Sequence, residues 1–95
     1  MYILYPSDKF RRKVRKLIKN NFLLNIKLQK TLVLLEKDPF YSSLQSHRVI
    51  AIQYGICQSS RVTGDIRILW RQNKEEVQVL DILDIGGHSG KNKVY

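Results

Sequence analysis

The sequence predicts an α+β fold: an N-terminal helical hairpin packed on one face of a twisted, mostly antiparallel four-stranded sheet, to which residues 2–5 offer a further short strand. Three observations predict it. Apolar residues recur twice at helical spacing before residue 38, β-branched alternating segments succeed one another from residue 48, and turn signals separate those segments at hairpin intervals. Ninety-five residues at 43% hydrophobic are enough for one domain with one core, and the absence of any low-complexity run argues against disorder.

Taken in order, Tyr2, Ile3, Leu4 and Tyr5 are aromatic or β-branched enough for a short strand, which Pro6 stops before Ser7 offers an N-cap oxygen. A first helix follows over residues 8–20. Phe10, Val14, Leu17 and Ile18 form its apolar stripe, and Lys9, Arg11, Arg12, Lys13, Arg15, Lys16 and Lys19 fill the other faces. Asn20 and Asn21 break it. A second helix over residues 23–37 carries Leu24, Leu28, Leu32 and Leu35 on one face, flanked by Ile26 and Val33, and ends at Asp38 because a residue before proline resists the helical region. So short a turn makes the helices an antiparallel hairpin. Strand segments follow at 48–53, 56–62, 66–71 and 77–85, the first two being either a strand pair or one bent strand. Val94 and Tyr95 close the chain on an apolar pair, which predicts that the tail after Gly86 and Gly87 folds back onto the sheet.

Seventeen Lys and Arg against eight Asp and Glu give a net charge of +9, the footprint of a polyanion-binding protein. The excess is lopsided. Residues 1–50 hold eleven basic and three acidic side chains, residues 51–95 six and five, so the first half supplies the basic surface. Cys57 has no partner for an internal disulfide, no apolar run approaches the roughly 18 residues of a membrane span, and the first ten residues lack the order of a signal peptide. These features predict a soluble, cytoplasmic protein without a membrane partner.

There is no Gly-rich phosphate loop, paired-cysteine zinc site or HExxH motif, and two histidines with one cysteine make a transition-metal centre or other cofactor unexpected. The polar candidates lie late in the chain: His47, Arg61, Asp65, Arg67, His88 and Tyr95. If residues 66–70 form a strand, Arg67 and Leu69 share one face while Ile66, Ile68 and Trp70 share the other. A strand-borne guanidinium is always charged and matches phosphate in a two-pronged geometry. The plainer reading of Arg67 is a solvated residue or a partner of Asp65 or Asp84, and Arg61 has a surface-charge reading as well. Trp70 is a core residue in preference to a base-stacking one, and Cys57 a buried thiol in preference to a nucleophile. His88 follows two glycines and, with an ordinary pKa of about 6.5, suits general acid or base work. Its alternative is a hydrogen-bonded turn residue; Tyr95 is either a hydrogen-bond donor or stacking group or a tail anchor, and His47 is a weaker candidate that pins its loop. The chemistry that fits this set is metal-independent RNA cleavage, in which the ribose 2′-OH is the built-in nucleophile and the protein aligns it, moves protons and stabilises the phosphorane.

Several phrases line up in order. They are Leu34-Leu35-Glu36-Lys37-Asp38-Pro39-Phe40, Ser43-Leu44-Gln45-Ser46-His47-Arg48-Val49, Gly64-Asp65-Ile66-Arg67-Ile68-Leu69-Trp70, Leu83-Asp84-Ile85-Gly86-Gly87-His88 and Val94-Tyr95. Together they resemble the RelE/ParE superfamily of type II toxins, in its YafQ-like RelE/StbE branch. The resemblance implies a RelE/ParE-like fold and a ribosome-dependent mRNA endonuclease neutralised by a cognate antitoxin. By the same resemblance His88 matches the general acid that protonates the 5′-O leaving group, Arg67 the arginine that stabilises the phosphate, and Asp65 an acid before the strand. His47, Arg61 and Tyr95 match a loop histidine, a nearby basic position and the aromatic tail. The cations of the first helix would grip RNA backbone by charge. One position departs from the pattern: Asp84 falls where some active nucleases carry a cation, and an acid there repels the scissile phosphate unless Arg61 or Arg67 compensates. That departure keeps open an inactive paralogue that binds antitoxin, and the shared fold keeps open a ParE-like inhibitor of DNA gyrase, a branch that generally does not need the histidine and terminal aromatic.

Overall fold

Ser7 alone separates the first strand from the first helix, since Pro6, expected to stop the strand, is its last residue. In the computed structural model, which describes residues 1–87 and Val94, strand β1 (Ile3–Pro6) gives way to helix α1 (Asp8–Ile18) at an extended Ser7. The Ser7 Oγ accepts from the Phe10 amide at 3.0 Å, satisfying one of the free N–H groups of the first turn, and donates to the Leu83 carbonyl at 2.9 Å. α1 stops two residues before the expected end because Lys19 turns extended (ψ 121°), and Asn20 follows in a left-handed conformation (φ 58°) that asparagine tolerates better than most residues. The Asn21 side chain then caps α2 (Phe22–Lys37) by accepting from the Leu24 amide at 3.1 Å. α2 ends where Asp38 turns extended ahead of Pro39, as the sequence predicts.

The sheet contains β2 (His47–Ala51), β3 (Gly55–Arg61), β4 (Ile66–Gln72) and β5 (Val79–Gly87), in the order β1-β5-β4-β3-β2. The first two of these are an antiparallel pair, not one bent strand, with Val49 opposite Cys57 and Gly55 at φ 70° opening β3 directly after the turn. The short N-terminal strand offered by residues 2–5 forms and joins the four as a fifth. β1 pairs in parallel with β5, Ile3 opposite Val79 through Pro6 opposite Ile82, so the sheet is mixed. Partners separated by most of the chain leave no trace in local periodicity, which is why only the strand character of residues 2–5 was legible. β4 and β5 are antiparallel with a bulge: Leu69 lies opposite Asp84 and Trp70 opposite Ile82, leaving Leu83 as the extra residue.

Both helices cover one face of the sheet, where Phe10, Leu28, Leu35, Ile68, Trp70, Leu80, Ile82 and Ile85 form the main core. Trp70 is 2% exposed, meets the Phe40 ring edge-on and donates from Nε1 to Ser60 Oγ at 2.7 Å. Ser60 Oγ in turn contacts Ser46 Oγ, which donates to the Pro39 carbonyl, so this buried chain fixes the loop and 3₁₀ turn (Ser42–Leu44) between α2 and β2. The opposite face bears a smaller cluster of Ala51, Cys57 and Leu69, against which Val49, Tyr54, Leu83 and Val94 pack. The Val94 amide donates to the Gly87 carbonyl at 2.9 Å, so the chain returns to the sheet there, as its apolar end predicts. Among the described residues no helix is long and apolar enough to cross a membrane.

Candidate functional site on the open sheet face

The face turned away from the helices is organised in cross-strand rows. His47, Ser59, Leu69 and Asp84 form one row across β2, β3, β4 and β5, and Arg61, Arg67 and Gly86 form the next. Residues directly opposite in an antiparallel pair point to the same side, and successive residues alternate. The predicted separation of Arg67 and Leu69 from Ile66, Ile68 and Trp70 is therefore borne out.

Arg61 stands directly opposite Arg67. Like charges in that arrangement repel, at a cost of order 0.2–1 kcal/mol, and an anion laid between them reverses the sign. Arg67 is fixed by its own turn, Nη1 donating to the Thr63 carbonyl, while Arg61 is exposed and, among the described residues, makes a long 3.4 Å contact to Gln45 Oε1. The Thr63 hydroxyl shapes the same turn by accepting from the Asp65 and Ile66 amides. Asp65 in turn lies against Gly87: a Cβ on Gly87 would come within 2.7 Å of Asp65 Oδ2, so glycine is what permits the approach. Arg61, Arg67 and Asp65 are thus gathered beside the end of β5. His47 is exposed on β2, two strands from Arg67 and roughly 12 Å away by strand geometry. Its Nδ1 contacts the Gln45 carbonyl at 3.0 Å; a carbonyl only accepts, so the neutral ring carries its proton on Nδ1 and keeps Nε2 as a base. His88 and Tyr95 lie outside the described residues.

Asp84 is 3% exposed and still ionised. Burial pushes its pKa up, but the hydrogen bonds from Lys13 and the Ile85 amide, the Lys13 charge and the Tyr54 hydroxyl together hold it below the ordinary carboxylate value. Lys13 Nζ is 2.7 Å from Oδ1, Lys9 Nζ 3.5 Å from Oδ2, and Tyr54 Oη donates to Oδ2 at 3.1 Å. The compensation expected from Arg61 or Arg67 comes instead from α1. β1 leaves β5 unpaired beyond Ile82, and α1 packs along that edge, so two of its lysines reach round to the open face. Tyr54, pushed up to about 12 by burial and then by the Asp84 charge, stays a neutral donor. Lys9 also donates to Gln53 Oε1 and lies 5.7 Å from the Tyr54 ring centre. No sequence spacing singled out Tyr54 or paired α1 with Asp84. The other helix cations, Arg11, Arg12, Arg15, Lys16 and Lys19, are exposed. Cys57 is buried, with its thiol pKa raised by burial, as a structural cysteine should be. Among the described residues no group of three or more His, Cys, Asp or Glu is placed to hold a metal ion.

Two helices on one face of a five-stranded mixed sheet is a fold this chain shares with solved toxins of the YafQ and YoeB/ParE kind. The chain is similar to a metal-bound toxin from Helicobacter pylori (22% identity over 93% of this chain and 96% of that one, TM-score 0.72). It is similar also to YafQ in the DinJ-YafQ complex of E. coli (18%, 93% and 94%, 0.70) and to a YoeB/ParE toxin from Agrobacterium tumefaciens (14%, 92% and 99%, 0.73). No family model and no curated protein matches the chain by sequence.

Proposed function

We propose that this protein is the toxin of a type II toxin-antitoxin system, a ribosome-dependent endonuclease that cuts translated mRNA in the cytoplasm and is neutralised by a cognate antitoxin. The observation that carries this reading is the Arg61–Arg67 pair, two cations held opposite each other on a rigid sheet beside Asp65 and the strand that leads to His88. In the reaction, the ribose 2′-oxygen attacks phosphorus and the P–O5′ bond breaks, leaving a 2′,3′-cyclic phosphate and a 5′-hydroxyl. His47 Nε2 accepts the 2′-OH proton, Arg67 and Arg61 stabilise the phosphorane charge, and His88 returns a proton to the departing O5′. Asp65 orients the cationic groups around the phosphate, and Tyr95 donates a hydrogen bond or stacks on a base. The exposed cations of α1 hold ribosomal RNA backbone. The complex of YafQ with DinJ supports an antitoxin partner here, one that folds over the basic surface by opposite charge.

Incubation with programmed ribosomes, followed by mapping of mRNA ends, tests the reading. Cuts ending in cyclic phosphate are expected from the parent, and His88→Ala should lose at least about a hundredfold in rate. An intact message accompanied by DNA damage in expressing cells would point instead to a gyrase-directed toxin.

A further inference from the structure

The Asp84 cluster contains more positive charge than Asp84 needs. Two ammonium groups meet one carboxylate, and that carboxylate already accepts from the Tyr54 hydroxyl and the Ile85 amide. Lys9 is further engaged by Gln53 and the Tyr54 ring. Lys13 is not: among the described residues Asp84 is its hydrogen-bond partner, and an ammonium has three donors. Its side chain, 36% exposed, lines a cavity of ≈ 250 Å³ together with Lys16, Leu17, Ile85 and Gly86. Gly86 is the sheet partner of Arg67, and Asp84 sits two residues along the same strand, about 7 Å away. A lysine that merely coats a helix with positive charge needs no buried anchor. This one is pinned at the rim of the Arg61–Arg67 row, with donors to spare.

We propose that Lys13 is a phosphate-binding cation of the cleavage site and that Asp84 is its positioning residue. A free lysine has a flexible four-carbon stem whose ordering costs up to about 2 kcal/mol; a fixed carboxylate meets that cost before RNA arrives. Lys13 then approaches the phosphodiester from the β5 edge while Arg67 approaches from β4. The cluster's remaining unit of positive charge faces the anion, so the acid on the last strand supports phosphate binding. The proposal rests on the endonuclease reading for its ligand, an RNA phosphodiester.

Single-turnover cleavage on programmed ribosomes, with the full chain at saturating and half-saturating concentrations, tests it. Lys13→Gln is expected to lower the saturated rate about tenfold to a hundredfold while moving the half-saturating concentration less than about threefold. Lys13→Arg should stay within about threefold of the parent. Asp84→Asn, which keeps shape but releases the anchor, should slow the saturated rate about tenfold without weakening half-saturation, since it removes a negative charge. A parent that cuts and a Lys13→Gln variant within about twofold of it would overturn the assignment; an unchanged Asp84→Asn rate would overturn the positioning role. If the parent does not cut at all, the endonuclease reading fails by itself, and a non-cleavable 2′-deoxy oligonucleotide decides the cation. Its titration should shift the Arg67 and Gly86 amides in NMR spectra with an affinity at least about fivefold weaker in Lys13→Gln, and an unchanged affinity would refute the role.

Discussion

Asp84 and Arg61 show opposite ways in which a residue on the open face trades stability for charge. Asp84 is ionised and fully partnered, so its folded pKa is depressed and its contribution is present above the unfolded value of about 3.9. That stability is lost as pH falls through the lower folded value, because protonation then breaks the Lys13 and Lys9 contacts. Urea unfolding of the parent should therefore show an acid limb below about pH 4 that is flatter in Asp84→Asn. Arg61 instead faces Arg67 across the pair. Arg61→Gln should leave stability unchanged or raise it by about 0.2–1 kcal/mol in urea, yet slow mRNA cleavage at least about tenfold. Gly87 shows a third constraint, since Gly87→Ala drives its new methyl against the Asp65 carboxylate. The carboxylate can swing aside, so this variant should fold with a small loss of stability and cleave poorly, measured by thermal unfolding alongside the ribosome assay. Of these residues Arg61, Arg67 and Asp65 were legible in sequence because strand alternation and a Thr-Gly-Asp turn declare a face and a corner. Tyr54 was not, because a turn tyrosine has many uses until its partner is known.

The elements were legible for a similar reason. Helix caps, the proline after Asp38 and the apolar stripes of α1 and α2 act over a few residues, and the helix ends fall within two residues of expectation. What joins the elements is less local. Ser7 both caps α1 and donates to the Leu83 carbonyl of β5, so Ser7→Ala removes a cap and the clamp that seats α1 on the strand edge. A loss of about 1–2 kcal/mol is expected in urea denaturation. Ser60→Ala should cost about 1–3 kcal/mol, because it strands the Trp70 indole N–H in the core and unties the loop preceding His47.

For the whole molecule, the uneven charge becomes a division of labour. Four cations of α1 and Lys19 just after it, five in all, are exposed while Lys9 and Lys13 turn to Asp84. Ribosome binding should weaken steeply with salt, with a log–log slope of about −4 if those five contact backbone phosphates. A flat titration would remove α1 from the RNA surface. Sequence by itself determined the α+β class, the two helices, the four later strands and the sidedness of β4, since each follows from a period of 3.6 or 2 and from turn chemistry between neighbours. Tertiary structure alone decided the parallel β1–β5 pairing, the bulge at Leu83 and the meeting of Lys13 with Asp84, whose positions are 71 residues apart. Contacts at that separation are chosen by how the whole chain packs, and a departure that looked like a flaw in the site, an acid on its last strand, acquires its meaning only from the helix laid beside it.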